Sequence, residues 1–282
     1  TDKAYAPSFV YNCLTAGVAN IVDMKTVMEH EVDGDMGNAW LKANSAGTGA
    51  YILKSFKPNE GYVLEARQGH WRGDAKIKNV FMQHIPEGAT ERLLLEKGDI
   101  DIAREMTPTD IEGIAGNADL KVQGDVGGQV YYLALNQKKA ELANPKVQEA
   151  MRWAIDYTGM QDSILKGQWV VHQDFLPLGF LGALDENPYS LDIEKAKALM
   201  AESGLTLPVD IGFTVRNNQE RLDIATSIQN TFSQIGINLV LDVGDGKQGL
   251  ETYRGRKHDI TLQTWGPDYP DPHTNASTFA SN

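Results

Sequence analysis

The sequence predicts an α/β protein of two lobes, in which helices cover mixed sheets. The chain has 282 residues, and one hydrophobic core seldom organises more than about 250–300 residues, so two lobes are expected. The first half is dense in strand patterns that are separated by turn residues. The second half alternates amphipathic helices with apolar strands, which is typical of a largely parallel sheet with covering helices.

A β-hairpin dominates the first half. Two apolar-rich strands at residues 50–56 and 61–66 flank a Lys-Pro-Asn-Glu turn, and a third strand spans 77–85. A helix at 90–97 ends at Gly98, because glycine readily adopts the left-handed conformation that closes a helix. Shorter predicted elements are helices at 21–30 and after Pro108, and strands at 99–103 and 120–123.

Three capped helices mark the second half. Asn144 precedes a helix that continues to Ile155, Asp192 begins a second helix that stops at Gly204, and a third spans 220–235. Their apolar residues recur at i, i+3, i+4 and i+7, which indicates that one face of each helix packs on a core. The predicted strands are 129–135, which is apolar enough for the centre of a sheet, and 209–215, 237–243 and 259–265.

The composition excludes several classes of partner. Acidic residues outnumber Lys and Arg by 38 to 26, for a net charge of −12, which argues against nucleic acid and anionic membrane surfaces. No apolar run approaches the length that spans a bilayer, so no direct membrane span is predicted. Cys13 is the one cysteine; it cannot form an intrachain disulfide, and we expect it to be a small buried hydrophobic residue.

The sequence lacks the common catalytic motifs. Its six histidines are scattered, and there is no H-E-x-x-H helix, no G-x-S-x-G elbow and no Walker A loop. Asp99 and Asp101 stand two residues apart, but they follow a glycine that closes a helix and have no partner motif. The sequence therefore predicts a protein that is not an enzyme and that needs no cofactor.

Six short segments, taken in order, carry a family pattern. They are residues 47–51 with 64–71, then 90–101, 144–156, 191–204, 235–237 and the Trp-Gly-Pro-Asp-Tyr-Pro-Asp-Pro turn at 265–272. Each segment alone is common, but their order and spacing are specific. Together they resemble the dipeptide/oligopeptide-binding family of ABC-transporter periplasmic solute-binding proteins, of the peptide/nickel type, over essentially the whole chain.

This resemblance implies a type II periplasmic-binding-protein fold, of which the chain is a central to C-terminal fragment. Family members are considerably longer. Residues 1–127 would form an incomplete domain I and residues 128–282 domain III, with the glycine-rich segment 124–128 as their boundary. A basic and then apolar leader is not found at Thr1, so the signal peptide of a periplasmic protein is not in this chain.

The resemblance also implies a function. Family members capture a small peptide or similar solute between two lobes and deliver it to the transmembrane subunits of an ABC permease. The expected location is the periplasm, or a lipid-anchored extracellular position in a Gram-positive cell. Within the family the alternatives are a nickel or metal-chelate, opine or oligosaccharide binder, and from another class a ligand-sensing or chaperone-like module.

A peptide carries an ammonium and a carboxylate, and both need partners when they are buried. The resemblance places Asp268 where peptide-binding members hold the ligand's amino terminus, with Asp271 as the substitute. The alternative for Asp268 is an aspartate that caps its own turn. Arg216 resembles the arginine that meets the ligand carboxylate, since a guanidinium fork suits that task, and Arg254 is a weaker candidate.

Aromatic residues and one histidine complete the predicted site. Trp265 and Tyr269 are candidates for the pocket wall, with simple packing as the alternative. His273 follows Asp271 and Pro272, as in the turn of nickel-binding relatives, although the spacing is longer by two residues. A metal-chelate role for His273 is therefore an alternative, and an ordinary surface histidine is the other.

Overall fold

The computed structural model describes residues 3–104, 106–124 and 127–280. The chain divides into two compact units, Thr1–Glu105 and Met106–Asn282. The predicted domain boundary at 127/128 stays a prediction, and residues 125 and 126 of its glycine-rich segment lie outside the described residues. The division falls earlier because side chains tie residues 106–114 to the second unit: Gln168 Nε2 donates to the Met106 carbonyl at 2.7 Å, and Lys166 pairs with Glu112 at 2.7 Å.

The first unit is built on a three-stranded antiparallel sheet of order β1-β2-β3. Its strands are β1 (Tyr51–Lys57), β2 (Gly61–Ala66) and β3 (Asn79–Gln83), and its helices are α1 (Pro7–Thr15), α2 (Met24–Met28), α3 (Asn38–Leu41) and α4 (Gly88–Lys97). The hairpin, the third strand and the helix closed by Gly98 are confirmed. Gly98 adopts φ 75°, the left-handed conformation expected at a helix end.

Three predictions for residues before 124 are wrong. Residues 99–103 and 120–123 form no strand, because an alternating pattern needs a neighbouring strand to bond with, and the described residues supply none there. Cys13 is exposed and free. It lies on α1, a helix that buries none of its residues within the described chain, so the apolar sequence around it does not bring burial.

The second unit is a four-stranded mixed sheet of order β4-β7-β5-β6 with helices around it. Its strands are β4 (Val130–Leu135), β5 (Val209–Arg216), β6 (Ile237–Gly244) and β7 (Ile260–Trp265). Its helices are α5 (Pro108–Ile114), α6 (Ala140–Ala143), α7 (Pro145–Trp153), α8 (Tyr157–Asp162), α9 (Ile193–Glu202), α10 (Gln219–Ser233), α11 (Gly246–Arg254) and α12 (Pro272–Phe279). β5 is parallel to β6 and β7, whereas β4 is antiparallel to β7. The prediction that β4 is central is wrong: it lies at an edge of the described sheet.

One hydrophobic core organises the second unit. Helices α7, α9 and α10 pack against the sheet, and buried residues of all three helices join those of β5, β6 and β7. The two predicted N-caps, Asn144 on α7 and Asp192 on α9, are present as side-chain acceptors. Asn218, which was not predicted as a cap, does the same for α10. The apolar stripe predicted for α7, which ends at Ala154, is buried. This rigid frame holds the ends of the strands where the predicted site residues lie.

Candidate ligand-binding site

All the predicted ligand residues except Arg254 lie at one end of the second unit's sheet. Arg216 is the last residue of β5, and Trp265 is the last residue of β7. Because β5 and β7 are parallel, with Thr214 opposite Thr261, their carboxyl ends lie at the same edge of the sheet. Ligands of open α/β sheets bind beyond the carboxyl ends of the strands. We call this edge the carboxyl edge.

Arg216 and Trp265 also project from the same face of the sheet. Side chains alternate between faces along a strand. Arg216 is two residues beyond Thr214 and Trp265 is four beyond Thr261, so both stay on the face that this paired position defines. Helix α11 packs on this face, where Gly249 approaches the Arg216 side chain: a Cβ added to Gly249 would lie 3.5 Å from Cγ of Arg216.

Both side chains carry a buried N–H donor with no acceptor in the described part of the chain. These donors are Nε of Arg216 and Nε1 of Trp265. A buried donor without a partner costs on the order of 1–3 kcal/mol, and native proteins leave few of them. Two such donors at the same sheet edge indicate a place where an oxygen-bearing ligand would complete the hydrogen bonding.

The Trp265 ring belongs to an aromatic group over this face. Phe279 of α12 meets Trp265 edge to face at 6.2 Å between ring centroids, and it meets Tyr132 of β4 in the same way at 5.1 Å. Tyr132 is opposite Gln263 in the β4–β7 pairing, hence on the same face as Trp265. Trp265 therefore packs with two aromatic residues, Tyr132 and Phe279, that the sequence did not indicate, and its role in a pocket wall stays a prediction.

Asp268 lies in the loop between β7 and α12 and is exposed. Its backbone N–H donates to Oγ1 of Thr274 at 3.3 Å. The structure assigns its carboxylate no hydrogen bond or ion pair with a described residue, so the alternative of an aspartate that caps its own turn is not what the geometry shows. The loop is packed from behind by Gly128, where an added Cβ would lie 2.8 Å from Cγ of Pro267.

Asp271 does act as a helix cap. Its carboxylate accepts the backbone N–H of His273 at 2.9 Å, at the start of α12. The Tyr269 hydroxyl and Nδ1 of His273 lie 2.6 Å apart, and the two rings stack. Tyr269 thus lies next to Asp268 in the same loop and contacts the first turn of α12. In the described residues, no group of three His, Cys, Asp or Glu side chains is arranged to hold a metal ion.

Arg254 does not join this group. It is the exposed last residue of α11. That helix starts just after β6 ends at the carboxyl edge and leads to the start of β7 at Ile260. The neighbouring Asn136, which follows β4, donates to the carbonyls of Arg256 and His258 at 3.2 and 2.9 Å. Because β4 is antiparallel to β7, these contacts place the end of α11 at the opposite edge of the sheet.

A buried polar network that the sequence analysis missed supports the carboxyl edge. Arg221 of α10 donates to the Leu262 carbonyl at 3.2 Å and to Oγ1 of Thr264 at 3.0 Å. The neighbouring Glu220 accepts hydrogen bonds from the Tyr131 hydroxyl and from Nε1 of Trp169. Burial, reinforced by the hydrogen bond to Glu220, raises the pKa of Tyr131. The signal for this network is the charged pair Glu220–Arg221 at the start of a helix whose stripe is otherwise apolar.

The first unit contains an open depression that the predicted residues do not line. Its lining residues are Glu65, Ala66, Arg67, Gln68, Asp74, Lys78 and Asn79. The charged groups there are engaged locally: the Arg67 guanidinium donates to the Gly47 and Gly49 carbonyls, and Lys54 pairs with Glu65. None of the buried side-chain donors or acceptors that lack a partner in the described residues lies in this depression. No helix in the described ranges has both the length and the apolar character to cross a membrane.

Comparison with known proteins matches the whole chain to one family. The model for bacterial extracellular solute-binding proteins, family 5 Middle, matches residues 2–282. The probable D,D-dipeptide-binding periplasmic protein DdpA of Escherichia coli (strain K12) is 30% identical over 278 residues, which cover 96% of this chain and 52% of that protein. The nickel-binding periplasmic protein of the same organism is 29% identical over 253 residues, 83% of this chain and 48% of that protein.

A solved structure agrees with the fold. The periplasmic binding protein DppA from Helicobacter pylori, in complex with the peptide STSA, superposes with a TM-score of 0.86 at 22% identity, covering 96% of this chain and 52% of that one. The type II periplasmic-binding-protein fold is thereby confirmed. The chain spans about half the length of the relatives that it matches.

The family assignment rests on the match of residues 2–282 to the family model, and the 30% identical relative supports it. Members of this family are solute-binding proteins rather than enzymes, which agrees with the absence of catalytic motifs from the sequence. The resemblance read from the six ordered segments is confirmed. The chain belongs to family 5 of the bacterial extracellular solute-binding proteins.

Proposed function

We propose that the protein is the solute-binding component of an ABC importer and that it captures a short peptide at the carboxyl edge. The observation that carries the proposal is the pairing of opposite chemistries there. Asp268 presents an exposed carboxylate with no described partner, and Arg216 and Trp265 hold buried N–H donors without acceptors. A peptide supplies an ammonium for the first and carboxylate or carbonyl oxygens for the second.

Each residue then has a distinct task. Asp268 pairs with the peptide's amino group, and Arg216 donates to an oxygen of the peptide's carboxylate or backbone. Trp265 forms an aromatic wall together with Tyr132 and Phe279. Tyr269, the next residue in the loop, contacts His273 of α12. Because these contacts are non-covalent and reversible, the bound peptide can be passed to the permease subunits outside the cytoplasm. The names of the peptide-binding relatives support this assignment, and no catalytic step is required of the chain.

A binding experiment on the full-length protein tests the proposal. We would measure the affinities of di-, tri- and tetra-alanine by isothermal titration calorimetry, each with a free and an N-acetylated amino terminus. Asp268→Asn should lower the affinity for free peptides about 10- to 100-fold, since a hydrogen bond to a charged group contributes about 1.5–3 kcal/mol. Asp210→Asn, at an exposed position at the start of β5 and hence at the opposite edge of the sheet, is the matched control and should leave every affinity unchanged.

A nickel chelate is the second candidate solute. Two observations favour it: His273 has its ring held by Tyr269 beside the Asp268 loop, and a nickel-binding relative is 29% identical. Titration with nickel in the presence of L-histidine distinguishes the two. Binding of the nickel–histidine mixture that is lost in His273→Gln, with no binding of any alanine peptide, would replace the peptide assignment. If neither class binds, the peptide assignment fails, and the remaining hypotheses are an opine or oligosaccharide solute or a ligand-sensing or chaperone-like role.

A further inference from the structure

Helix α12 carries two buried polar residues directly behind the Asp268 loop. Thr274 is 4% exposed and Asn275 is fully buried. Burying polar side chains is costly unless hydrogen bonds compensate, and this short helix would pack equally well through apolar residues. The bonds that these two side chains make therefore indicate what they do.

Thr274 bonds to the residue that is central to the proposed site. Its Oγ1 accepts the backbone N–H of Asp268 at 3.3 Å, across six residues of chain. Hydrogen bonds within helix α12 hold Thr274 in place. The Thr274 N–H donates to the Asp271 carbonyl at 3.2 Å, and the Thr278 hydroxyl donates to the Thr274 carbonyl at 3.0 Å. The direction of the Asp268 backbone is thus set by a buried and well-fixed oxygen.

Asn275 anchors the same helix to a distant segment. Its Nδ2 donates to the Phe175 carbonyl at 2.6 Å, which links positions 100 residues apart in the sequence. Phe175 in turn lies 6.5 Å from Phe279 at the other end of α12, measured between ring centroids. The helix is therefore tied down at its middle and at its end. Because α12 is fixed in this way, Thr274 can hold the Asp268 loop in one position.

We propose that Thr274 is a positioning residue for ligand binding, which holds Asp268 so that its carboxylate faces the amino group of the bound peptide. Thr274 itself does not touch the ligand. This inference rests on the proposed function, because it assumes that Asp268 meets an ammonium. Positioning by fixed neighbouring groups is what gives a binding residue its full effect.

Two variants of the full-length protein separate positioning from packing. Thr274→Val keeps the size and branching of the side chain but removes the acceptor oxygen, whereas Thr274→Ser keeps the oxygen. The readout is the ratio of the affinities for tri-alanine and N-acetyl-tri-alanine, measured by calorimetry. Thr274→Val should reduce this ratio about three- to tenfold, in line with the loss of one hydrogen bond, while Thr274→Ser should keep the wild-type ratio.

A purely structural role would lower both affinities alike and leave their ratio unchanged, and this result would overturn the inference. Amide hydrogen exchange gives a readout without ligand: the Asp268 N–H should exchange faster in Thr274→Val and at the wild-type rate in Thr274→Ser. Asp268→Asn distinguishes failure of the proposed function from failure of the positioning role of Thr274. If it does not change the ratio in an otherwise wild-type protein, the proposed function fails. If it does and Thr274→Val does not, the positioning inference alone fails.

Discussion

The buried guanidinium of Arg221 joins helix α10 to strand β7. Besides its bonds to the Leu262 carbonyl and Thr264, it lies 5.2 Å from the centre of the Tyr131 ring on β4. One side chain thus contacts three elements of the second unit. An arginine in this position is stabilising because its planar guanidinium donates hydrogen bonds within its own plane and contacts the Tyr131 ring with its face.

Replacing Arg221 by Met should destabilise the protein by about 2–4 kcal/mol, because the Leu262 carbonyl and Thr264 lose their donor and the cation–π contact is lost. Urea unfolding at neutral pH measures this difference. Arg254→Met, at the exposed end of α11, is the control and should stay within about 0.5 kcal/mol of wild type. Equal effects at the two positions would show that the network does not contribute to stability.

Gly128 should tolerate no side chain. A Cβ there would lie 2.8 and 3.0 Å from Cγ and Cδ of Pro267, so Gly128→Ala must displace the loop that carries Asp268. We expect a loss of about 1–3 kcal/mol in stability, as for overpacking elsewhere, together with weaker peptide binding. At Gly127 an added Cβ meets nothing within 4 Å. Gly127→Ala should therefore behave as wild type in both thermal unfolding and calorimetry, and a matching loss there would contradict this explanation.

The residues proposed to meet the ligand could be predicted, while those that hold them could not. Asp268, Arg216 and Trp265 are candidates because they resemble residues of the family pattern, and their contact with a ligand stays a prediction. Thr274 and Gly128 act through contacts between segments that are distant or unremarkable in sequence. Gly128 reaches Pro267 because β4 pairs antiparallel with β7, and no local pattern indicates which strand β4 will pair with.

A helix cap also connects two neighbouring helices of the second unit. Asn144 has two bonds of this kind: its Oδ1 accepts the N–H of Lys146 at 3.0 Å at the start of α7, and its Nδ2 donates to the Ser203 carbonyl at 2.9 Å, just after α9. One side chain thereby closes the beginning of one helix and the end of its neighbour. Without Asn144, the Lys146 N–H and the Ser203 carbonyl would lack a partner at these helix ends.

Asn144→Ala should cost about 1–2 kcal/mol in the free energy of unfolding, as is usual for the loss of an N-cap. Asn144→Asp keeps the acceptor and loses only the donor to Ser203, so we expect a smaller loss. Urea unfolding of the three proteins checks this order. If Asp and Ala prove equally destabilising, the bond to Ser203 rather than the cap would be the important contact.

Element prediction succeeded where a pattern and an end signal coincide. The helices α7, α9 and α10 have both an apolar stripe and a cap, and the hairpin has two strands around a turn. Helix α11 was missed because glycines at 246 and 249 weaken its helical pattern. Helix α12 did carry a signal, since Asp271 followed by Pro272 is a cap with proline at the first helical position, but the turn-forming prolines before it favoured a loop.

The two units differ sharply in how much they bury. The large hydrophobic core lies wholly within the second unit. Among the described residues 3–104, Val27 is the one hydrophobic side chain that is buried. Three neighbouring side chains of the first unit's sheet, Phe56, Tyr62 and Met82, are paired in register across the strands yet exposed. Stability is therefore expected to be concentrated in the second unit.

Separate expression tests this distribution. Residues 106–282 should unfold cooperatively in urea as an isolated fragment, because the fragment contains the complete core. Residues 1–105 alone should show no cooperative transition and should bind the dye ANS, which reports exposed apolar surface. A sharp transition in the first fragment together with none in the second would reverse this assignment.

His258 should make the stability depend on pH. Burial lowers the pKa of this imidazole below its usual value near 6.5, and the nearby Arg256 adds to the effect. The folded state therefore binds fewer protons than the unfolded state below about pH 6.5, so stability falls as the pH drops through that range. His258→Gln should lose less stability than wild type between pH 7 and 5.5 in urea unfolding. Parallel pH profiles for the two proteins would rule out His258 as the titrating group.

The pairing of β4 with β7 also sets the order of events in time. Val130 and its partner Trp265 are 135 positions apart in the chain, and at a synthesis rate of about 5–20 residues per second their appearance is separated by roughly 7–27 seconds. Strands β5, β6 and β7 with α10 and α11 form a contiguous stretch that can assemble locally. We expect β4 to stay an unpaired apolar strand until that stretch has been synthesised and folded. During this interval the newly made chain needs protection from aggregation.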